Sequence, residues 1–361
     1  MKQRIKDILS KAECDYVEIR LEDSQKTSIN FTGPDLEECS LQSDFGGNVR
    51  ALVSGGWGFT TFNDLDDLEG KVKLAISHAR SIGNRRGESF KLAPVDVVEA
   101  EFPLDLVLDP ADISLDDKLR LLAGYNKLVL EFDERITTSS SRYHDVKRKL
   151  TFANSEGTWV ERENVDLAMS AGPMVRNDKG TFFRRAFNGS SNDFGVVRGM
   201  EDEVVKACED TLAISESDSV VGGEYTVILN PIMSGVFIHE AFGHLSEGDN
   251  VYEDPNLQKV MKLGSTFGFD QLNVADTGLD VGTRGYLPID DEGVRTERTY
   301  LIREGKLVGR LHSRETATRM NEKPTGSARA ISYKFPPIPR MRNTIIEPGK
   351  DKYDDMVANT K

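Results

Sequence analysis

Two histidines and a glutamate lie within six residues of one another, at His239, Glu240 and His244, in a chain with only five histidines. Imidazole nitrogens are common ligands of divalent metals. A carboxylate beside such a metal can act as general base on the water that the metal activates. The residue types therefore predict a metal site in which His239 and His244 are ligands and Glu240 is the base.

The separation of the two histidines is unusual. In the common zinc-protease pattern H-E-x-x-H they are four residues apart and share one face of a helix. Five residues place two side chains roughly 140° apart around a regular α-helix. A π-type turn would return them to one face, and Gly243 is where that distortion costs least. We therefore expect a departure from regular α-helix at 239–244. The alternative interpretation is that the two histidines are unrelated residues of a regular helix.

The residues before the histidines predict the elements that position them. Residues 224–229 are rich in β-branched side chains and are typical of a buried strand. Asn230 is a favourable N-cap, and Pro231 suits the first position of a helix. We therefore expect a strand that leads directly into the helix carrying His239.

Three motifs resemble the TldD branch of the TldD/PmbA family: H-E-A-F-G-H at 239–244, I-D-D-E-G at 289–293 and P-R-M-R-N-T at 339–344. The resemblance covers nearly the whole chain, and the PmbA (TldE) branch lacks the first motif. It implies a zinc metallopeptidase that hydrolyses unfolded peptides lying extended along a sheet edge. It also implies a PmbA/TldE-type partner subunit, with a homodimer as the other possibility.

The same resemblance implies His239 and His244 as zinc ligands and a cysteine near the C-terminus as the third. No cysteine follows Cys208, and the sequence ends at Lys361. We therefore expect the third ligand to lie outside this sequence and the chain alone to bind zinc weakly. His312 could be a further ligand, although a polar residue at the end of a hairpin is the favoured interpretation.

Two other groups of charged residues are candidates for the site. Arg340 and Arg342 could hold a substrate carbonyl or a terminal carboxylate, and plain ion pairing explains them equally well. The acidic run at 290–292 is interpreted as a surface turn, or as a turn that shapes the cleft. A calcium loop is disfavoured there, because the remaining ligand spacing is absent.

Composition limits the classes of function. A net charge of −14 weighs against nucleic acid as a partner, and therefore against a modulator of DNA topology. The sequence contains no run of eighteen apolar residues, so it predicts no membrane span. The scattered cysteines, Cys14, Cys39 and Cys208, indicate reduced thiols and a cytoplasmic protein. A non-catalytic peptide-binding or partner subunit remains the alternative to a peptidase.

The hydrophobic periodicity predicts an α+β fold of two domains, 1–216 and 217–361. Each is expected to contain mostly antiparallel sheet with packed helices. In the first domain, residues 16–21 predict a strand and 27–31 its hairpin partner. Helices are expected at 65–82, after Ser114, and at 201–214.

Overall fold

The computed structural model describes residues 1–87 and 89–360. The helices are α1 (Lys2–Ser10), α2 (Leu68–Arg86), α3 (Leu115–Leu130), α4 (Glu201–Glu216), α5 (Pro231–Ile238), α6 (Gly248–Glu253), α7 (Pro255–Val260), α8 (Arg314–Met320) and α9 (Tyr353–Asn359). The strands are β1 (Tyr16–Thr32), β2 (Asp35–Val53), β3 (Gly56–Phe62), β4 (Glu99–Phe102), β5 (Ile136–Asn154), β6 (Trp159–Asn177), β7 (Gly180–Phe183), β8 (Ala186–Ser190), β9 (Val274–Thr277), β10 (Thr299–Arg303), β11 (Lys306–Leu307), β12 (Ala328–Arg329), β13 (Ile338–Pro339) and β14 (Asn343–Ile346).

Eight strands form one large sheet in the order β3-β2-β1-β5-β6-β4, with β7 and β8 also paired to β6. All these pairs are antiparallel except β4 with β6. Helices α1 and α2 cover one half of a sheet face, and α3 and α4 cover the other half. The predicted α+β class is confirmed. Of the helices described, none is both long and apolar enough to cross a membrane.

The opposite face of the sheet is polar and yet buried. Along β1, Val17 and Ile19 point toward the helices, while Glu18 and Arg20 alternate with them and are each 2% exposed. Charged side chains are rarely buried unless they are paired. This face must therefore be covered by groups that neutralise it.

The C-terminal part of the chain supplies that cover. Its own strands form a four-stranded sheet in the order β11-β10-β9-β14 and a two-stranded sheet of β12 and β13. A hydrophobic cluster joins the first of these sheets to the residues around the histidine motif: Ile238, Phe242, Val251, Met261, Val274, Leu301, Ile302, Leu307, Leu311 and Met341. The domain division at residue 217 stays a prediction.

The prediction of a hairpin between 16–21 and 27–31 is wrong, because both segments belong to the single strand β1. The polar residues between them continue the strand and pair with both β2 and β5. The turn lies instead at Gly33-Pro34, where Gly33 has φ +57°. Two paired neighbours supply the backbone hydrogen bonds that a strand requires, so local polarity does not break it.

The prediction of a buried strand at 224–229 is also wrong. These residues have no regular secondary structure and are exposed, with Val227 at 67%, and no strand among the described residues pairs with them. The β-branched composition favours a pleated, half-buried surface only where a neighbouring strand provides one.

The acidic run at 290–292 is buried, so the prediction of a surface turn is wrong. Asp291 accepts hydrogen bonds from Arg20 at 3.2 Å and from Arg162 at 2.8 Å. Glu292 accepts from Arg50 at 2.6 Å and from the backbone N–H of Arg314. These carboxylates neutralise the polar face of the large sheet and join it to the C-terminal part of the chain.

Adjacent carboxyls in this run have pKa values shifted in opposite directions. Burial and the neighbouring Glu292 raise the pKa of Asp290 to about 8. The hydrogen bonds that Asp290 accepts from backbone N–H groups oppose this rise in pKa. Burial also acts to raise the pKa of Asp291, but the Arg162 and Arg20 guanidiniums outweigh it and hold that pKa below its ordinary value. Of these two aspartates, Asp291 is therefore the one that pairs with arginines.

Candidate metal centre

Helix α5 begins as the sequence predicts. The side chain of Asn230 accepts a hydrogen bond from the N–H of Met233 at 2.8 Å, and Pro231 occupies the first turn. The helix ends at Ile238, which is buried in the C-terminal hydrophobic cluster. Ile238 therefore anchors the chain directly before His239.

The predicted departure from α-helix at the histidine motif is confirmed. Residues His239–Gly243 form a π-helical turn, and His244–Ser246 form a 3₁₀ turn. The N–H of His244 donates to the carbonyl of His239, five residues back, as a π-type turn requires. The two imidazole ring centroids lie 4.8 Å apart. The five-residue spacing thus brings both rings to one side of the chain.

Gly243 is needed here for close packing. A Cβ atom at this position would lie 2.1 Å from the Sδ atom of Met341. Met341 is 4% exposed and belongs to the motif at 339–344. Two of the motifs that the sequence analysis singled out therefore meet at Gly243, which sets how closely the histidine turn approaches the segment between β13 and β14.

His239, Glu240 and His244 offer donor atoms that all lie within 4.8 Å of one another. His239 is partly buried, whereas Glu240 and His244 are exposed. Two imidazoles and a carboxylate are a donor set that suits zinc. Catalytic zinc usually has three protein ligands, and Cys14, Cys39 and Cys208 are not in this group. Within the described residues, this group therefore suits zinc and supplies two imidazole ligands for it.

Glu247 lies beside His244 and was not singled out from the sequence. Its Oε2 atom is 3.4 Å from Nδ1 of His244 and accepts from Nη1 of Arg340 at 3.0 Å. Burial raises the pKa of the Glu247 carboxyl, while Arg340 opposes that shift. The available signal was its position three residues after His244, which on a helical turn faces the same side.

The structure separates the two candidate arginines. Arg340 is 36% exposed and lies beside the histidine turn, where it pairs with Glu247. Arg342 is buried and binds Asp276 at 2.7 Å, with further bonds to the carbonyls of Thr325 and Gly326. The structure does not bring Arg342 to the histidine group, whereas a substrate-binding role for Arg340 stays a prediction.

His312 is buried away from the group. Its Nδ1 atom lies 3.0 Å from Oγ1 of Thr316, and its Nε2 atom lies 3.1 Å from Glu322. Both ring nitrogens thus have protein partners. His312 is therefore a packed, hydrogen-bonded residue and does not belong to the donor group of His239 and His244.

Three family models match consecutive parts of the chain. They describe PmbA/TldA metallopeptidase domain 1 at residues 17–82, the central domain at 108–217 and the C-terminal domain at 222–361. A metalloprotease of Synechocystis sp. is 40% identical over 340 residues, which cover 94% of this chain and 73% of the relative. The chain therefore belongs to the PmbA/TldD family of metallopeptidases.

More distant relatives agree with this assignment. A metalloprotease of Methanocaldococcus jannaschii is 30% identical over 96% of this chain and 76% of its own length. A metalloprotease TldD homolog of Haemophilus influenzae is 27% identical over 98% of this chain and 75% of its own length. Both relatives are therefore longer than the segment that they share with this chain.

Solved structures share the fold. A Bacteroides thetaiotaomicron protein described as a candidate modulator of DNA gyrase superposes with a TM-score of 0.78 at 22% identity, over 99% of this chain and 79% of that one. TldE from Thermococcus kodakarensis gives a TM-score of 0.69 at 17% identity, over 99% and 79%. At these identities the likeness concerns the fold alone.

Proposed function

We propose that this chain is a zinc-dependent metallopeptidase of the TldD type that hydrolyses unfolded or extended peptides. The observation that carries the proposal is the π-helical turn, which gathers the donor atoms of His239, Glu240 and His244 within 4.8 Å. A relative in Saccharolobus solfataricus, 26% identical over 96% of this chain and 75% of its own length, is named a zinc metalloprotease. That name supports zinc as the metal.

Each residue of the group has a distinct role in this proposal. His239 and His244 hold the ion through imidazole nitrogens. Zinc, when bound, polarises a peptide carbonyl and makes water a competent nucleophile near neutral pH. The Glu240 carboxylate accepts a proton from the attacking water and delivers it to the departing amine. Its exposure leaves room for a substrate to approach.

The family resemblance supports the proposed substrate and partner. An extended peptide can pair with the free edge of a sheet, so that backbone hydrogen bonds give affinity with little sequence selectivity. β14 ends the four-stranded sheet and packs against α5, which leads into the histidine turn. The assembly is proposed to contain a PmbA/TldE-type partner or a second copy, and a cysteine is proposed as the third ligand.

The proposal is tested by separating the base from the ligands. Glu240→Gln should retain zinc and lose peptidase activity by about 100-fold or more, since only the base is removed. His239→Ala should lose both zinc and activity. Zinc content and hydrolysis of a casein-like unfolded substrate are measured with and without a PmbA-type partner. His78→Ala is the matched control, because His78 is exposed on α2.

Two protein ligands should hold zinc less tightly than the usual three. The measurements are therefore made on this chain and on a chain with the additional length found in its relatives. Equal activity of the wild type and Glu240→Gln would refute the role of the base. Activity that survives His239→Ala would refute the metal site, and zinc binding without hydrolysis in every sample would favour the non-catalytic subunit.

A further inference from the structure

The Glu247 carboxylate is buried beside the histidine turn, with its side chain 2% exposed. Its Oε2 atom accepts from Arg340 and lies within hydrogen-bond distance of Nδ1 of His244. Its Oε1 atom is buried without a hydrogen-bond partner among the described residues. Burying a carboxylate with one oxygen unpaired costs free energy. A buried group of this kind calls for an explanation, and we expect a functional one.

The backbone of this segment is also fixed by a part of the chain that is distant from His244 in sequence. Glu247 forms a parallel bridge with Leu311. On either side of it, the N–H of Gly248 donates to the carbonyl of Leu311, and the N–H of Leu311 donates to the carbonyl of Ser246, each at 2.8 Å. A Cβ atom at Gly248 would lie 2.5 Å from Nδ1 of His312, so only glycine permits this approach.

We propose that Glu247 is a positioning residue for His244 in the metal centre, an inference that rests on the proposed zinc site. Oε2 accepts the Nδ1–H of His244, which fixes the tautomer and leaves Nε2 as the nitrogen for the metal. Metal-binding imidazoles usually donate their other N–H to a carboxylate or carbonyl, which holds the ring in orientation.

Arg340 completes this arrangement from the other side. It donates to the same oxygen of Glu247 at 3.0 Å, which holds that oxygen in place beside His244. Asn250 donates to the carbonyl of His244 at 3.1 Å and fixes its backbone. The inference thus gives Arg340 a place in the centre that does not require contact with substrate.

The tautomer of His244 is the direct test and requires no metal. Nitrogen NMR of metal-free protein labelled at histidine is recorded at mildly alkaline pH, where a free imidazole is neutral. In the wild type we expect His244 to carry its proton on Nδ1. In Glu247→Leu, which lacks an acceptor, the proton should move largely to Nε2. A wild-type His244 protonated on Nε2 would overturn the proposal, whether or not any variant folds.

Zinc affinity, measured by competition with a chelator, is the second readout. Glu247→Leu should bind zinc about 10- to 100-fold more weakly than the wild type. Glu247→Gln retains an acceptor and should recover most of that loss. Asp249→Asn is the matched control, because Asp249 lies 3.8 Å from the same arginine nitrogen and should leave both readouts unchanged.

The outcomes distinguish this proposal from the proposed function. If the wild type binds no zinc but His244 carries its proton on Nδ1 only when Glu247 is present, the zinc site fails and the positioning role stands. If zinc binds and Glu247→Leu changes neither the tautomer nor the affinity, the positioning role fails and the zinc site stands. An equal loss of zinc affinity in Asp249→Asn would show a general effect of charge. That result would also overturn the positioning role of Glu247.

Discussion

The acidic run at 290–292 and the histidine turn at 239–244 both concentrate ionisable groups, and they treat them in opposite ways. Asp291 and Glu292 are buried, and arginines from the large sheet neutralise them. Glu240 and His244 are exposed, and the donor atoms of the turn converge on a common space. A charge that the fold neutralises is structural, whereas groups that converge while exposed remain able to bind a ligand.

The difference also appears in how each region is held. The acidic run contacts residues far away in sequence, since Asp291 and Arg20 are separated by 271 positions. The histidine turn is held mainly by local geometry, through the cap of α5 and the π-type bond. The contact of Gly243 with Met341 adds one distant segment to these local features. Substitutions in the first region should therefore affect the stability of the fold, and those in the second should affect the geometry of the site.

The largest effect is expected for Asp291→Ala. The substitution leaves Arg20 and Arg162 buried without their shared carboxylate, which should cost about 3–5 kcal/mol of unfolding free energy. Urea denaturation measures the loss. Glu69→Ala breaks the exposed pair with Lys73 and should leave the urea midpoint unchanged. Equal shifts for the two variants would mean that the acidic run is not an anchor.

The same carboxylate should make stability depend on pH. Arg162 and Arg20 hold the pKa of Asp291 below its unfolded value, so the unfolded state takes up the proton first as pH falls. Its contribution is therefore present above about pH 4 and is lost as pH falls below that. The difference in unfolding free energy between wild type and Asp291→Asn should shrink on acidification. A difference that stays constant would contradict this assignment.

A smaller effect, about 1–3 kcal/mol, is expected for Gly243→Ala, because the added methyl group meets Met341. Zinc affinity should fall as well, since the turn that carries both histidines must shift. Met341→Ala removes the opposing atoms, so the two substitutions together should cost less than the sum of their separate costs. Strict additivity in urea denaturation would show that the methyl group is accommodated elsewhere.

Local features of the histidine region could be predicted from the sequence. The five-residue spacing predicted the π-type turn, and Asn230 with Pro231 predicted the start of α5, because such signals depend on a few consecutive residues. Glu247 follows His244 by three residues, but its place beside the turn was missed because its backbone is also held by the bridge to Leu311. That bridge joins segments about sixty residues apart, and no spacing rule for metal ligands includes it.

The burial of the acidic run could not be predicted, because it depends on pairing between distant parts of the chain. Glu292 meets Arg50 across 242 positions, and Asp291 meets Arg162 across 129. Read alone, three successive acidic residues before a glycine resemble an exposed turn. The prediction of a strand at 224–229 was wrong for the opposite reason. The composition of this segment favours a strand, but no described strand pairs with it.

The smallest effect is expected at Asn230, where Asn230→Ala removes the acceptor for the N–H of Met233. Helix α5 packs weakly, with Ile232 78% exposed and Val236 52% exposed, so its cap contributes a large share of its local stability. We expect a loss of about 1 kcal/mol, which Asn230→Asp should largely avoid because aspartate caps equally well. Amide hydrogen exchange should accelerate across α5 in the alanine variant and leave the large sheet unchanged. Equal exchange in α5 of all three proteins would show that the cap does not contribute, and that the π-type turn and the anchoring of Ile238 hold the helix that precedes His239.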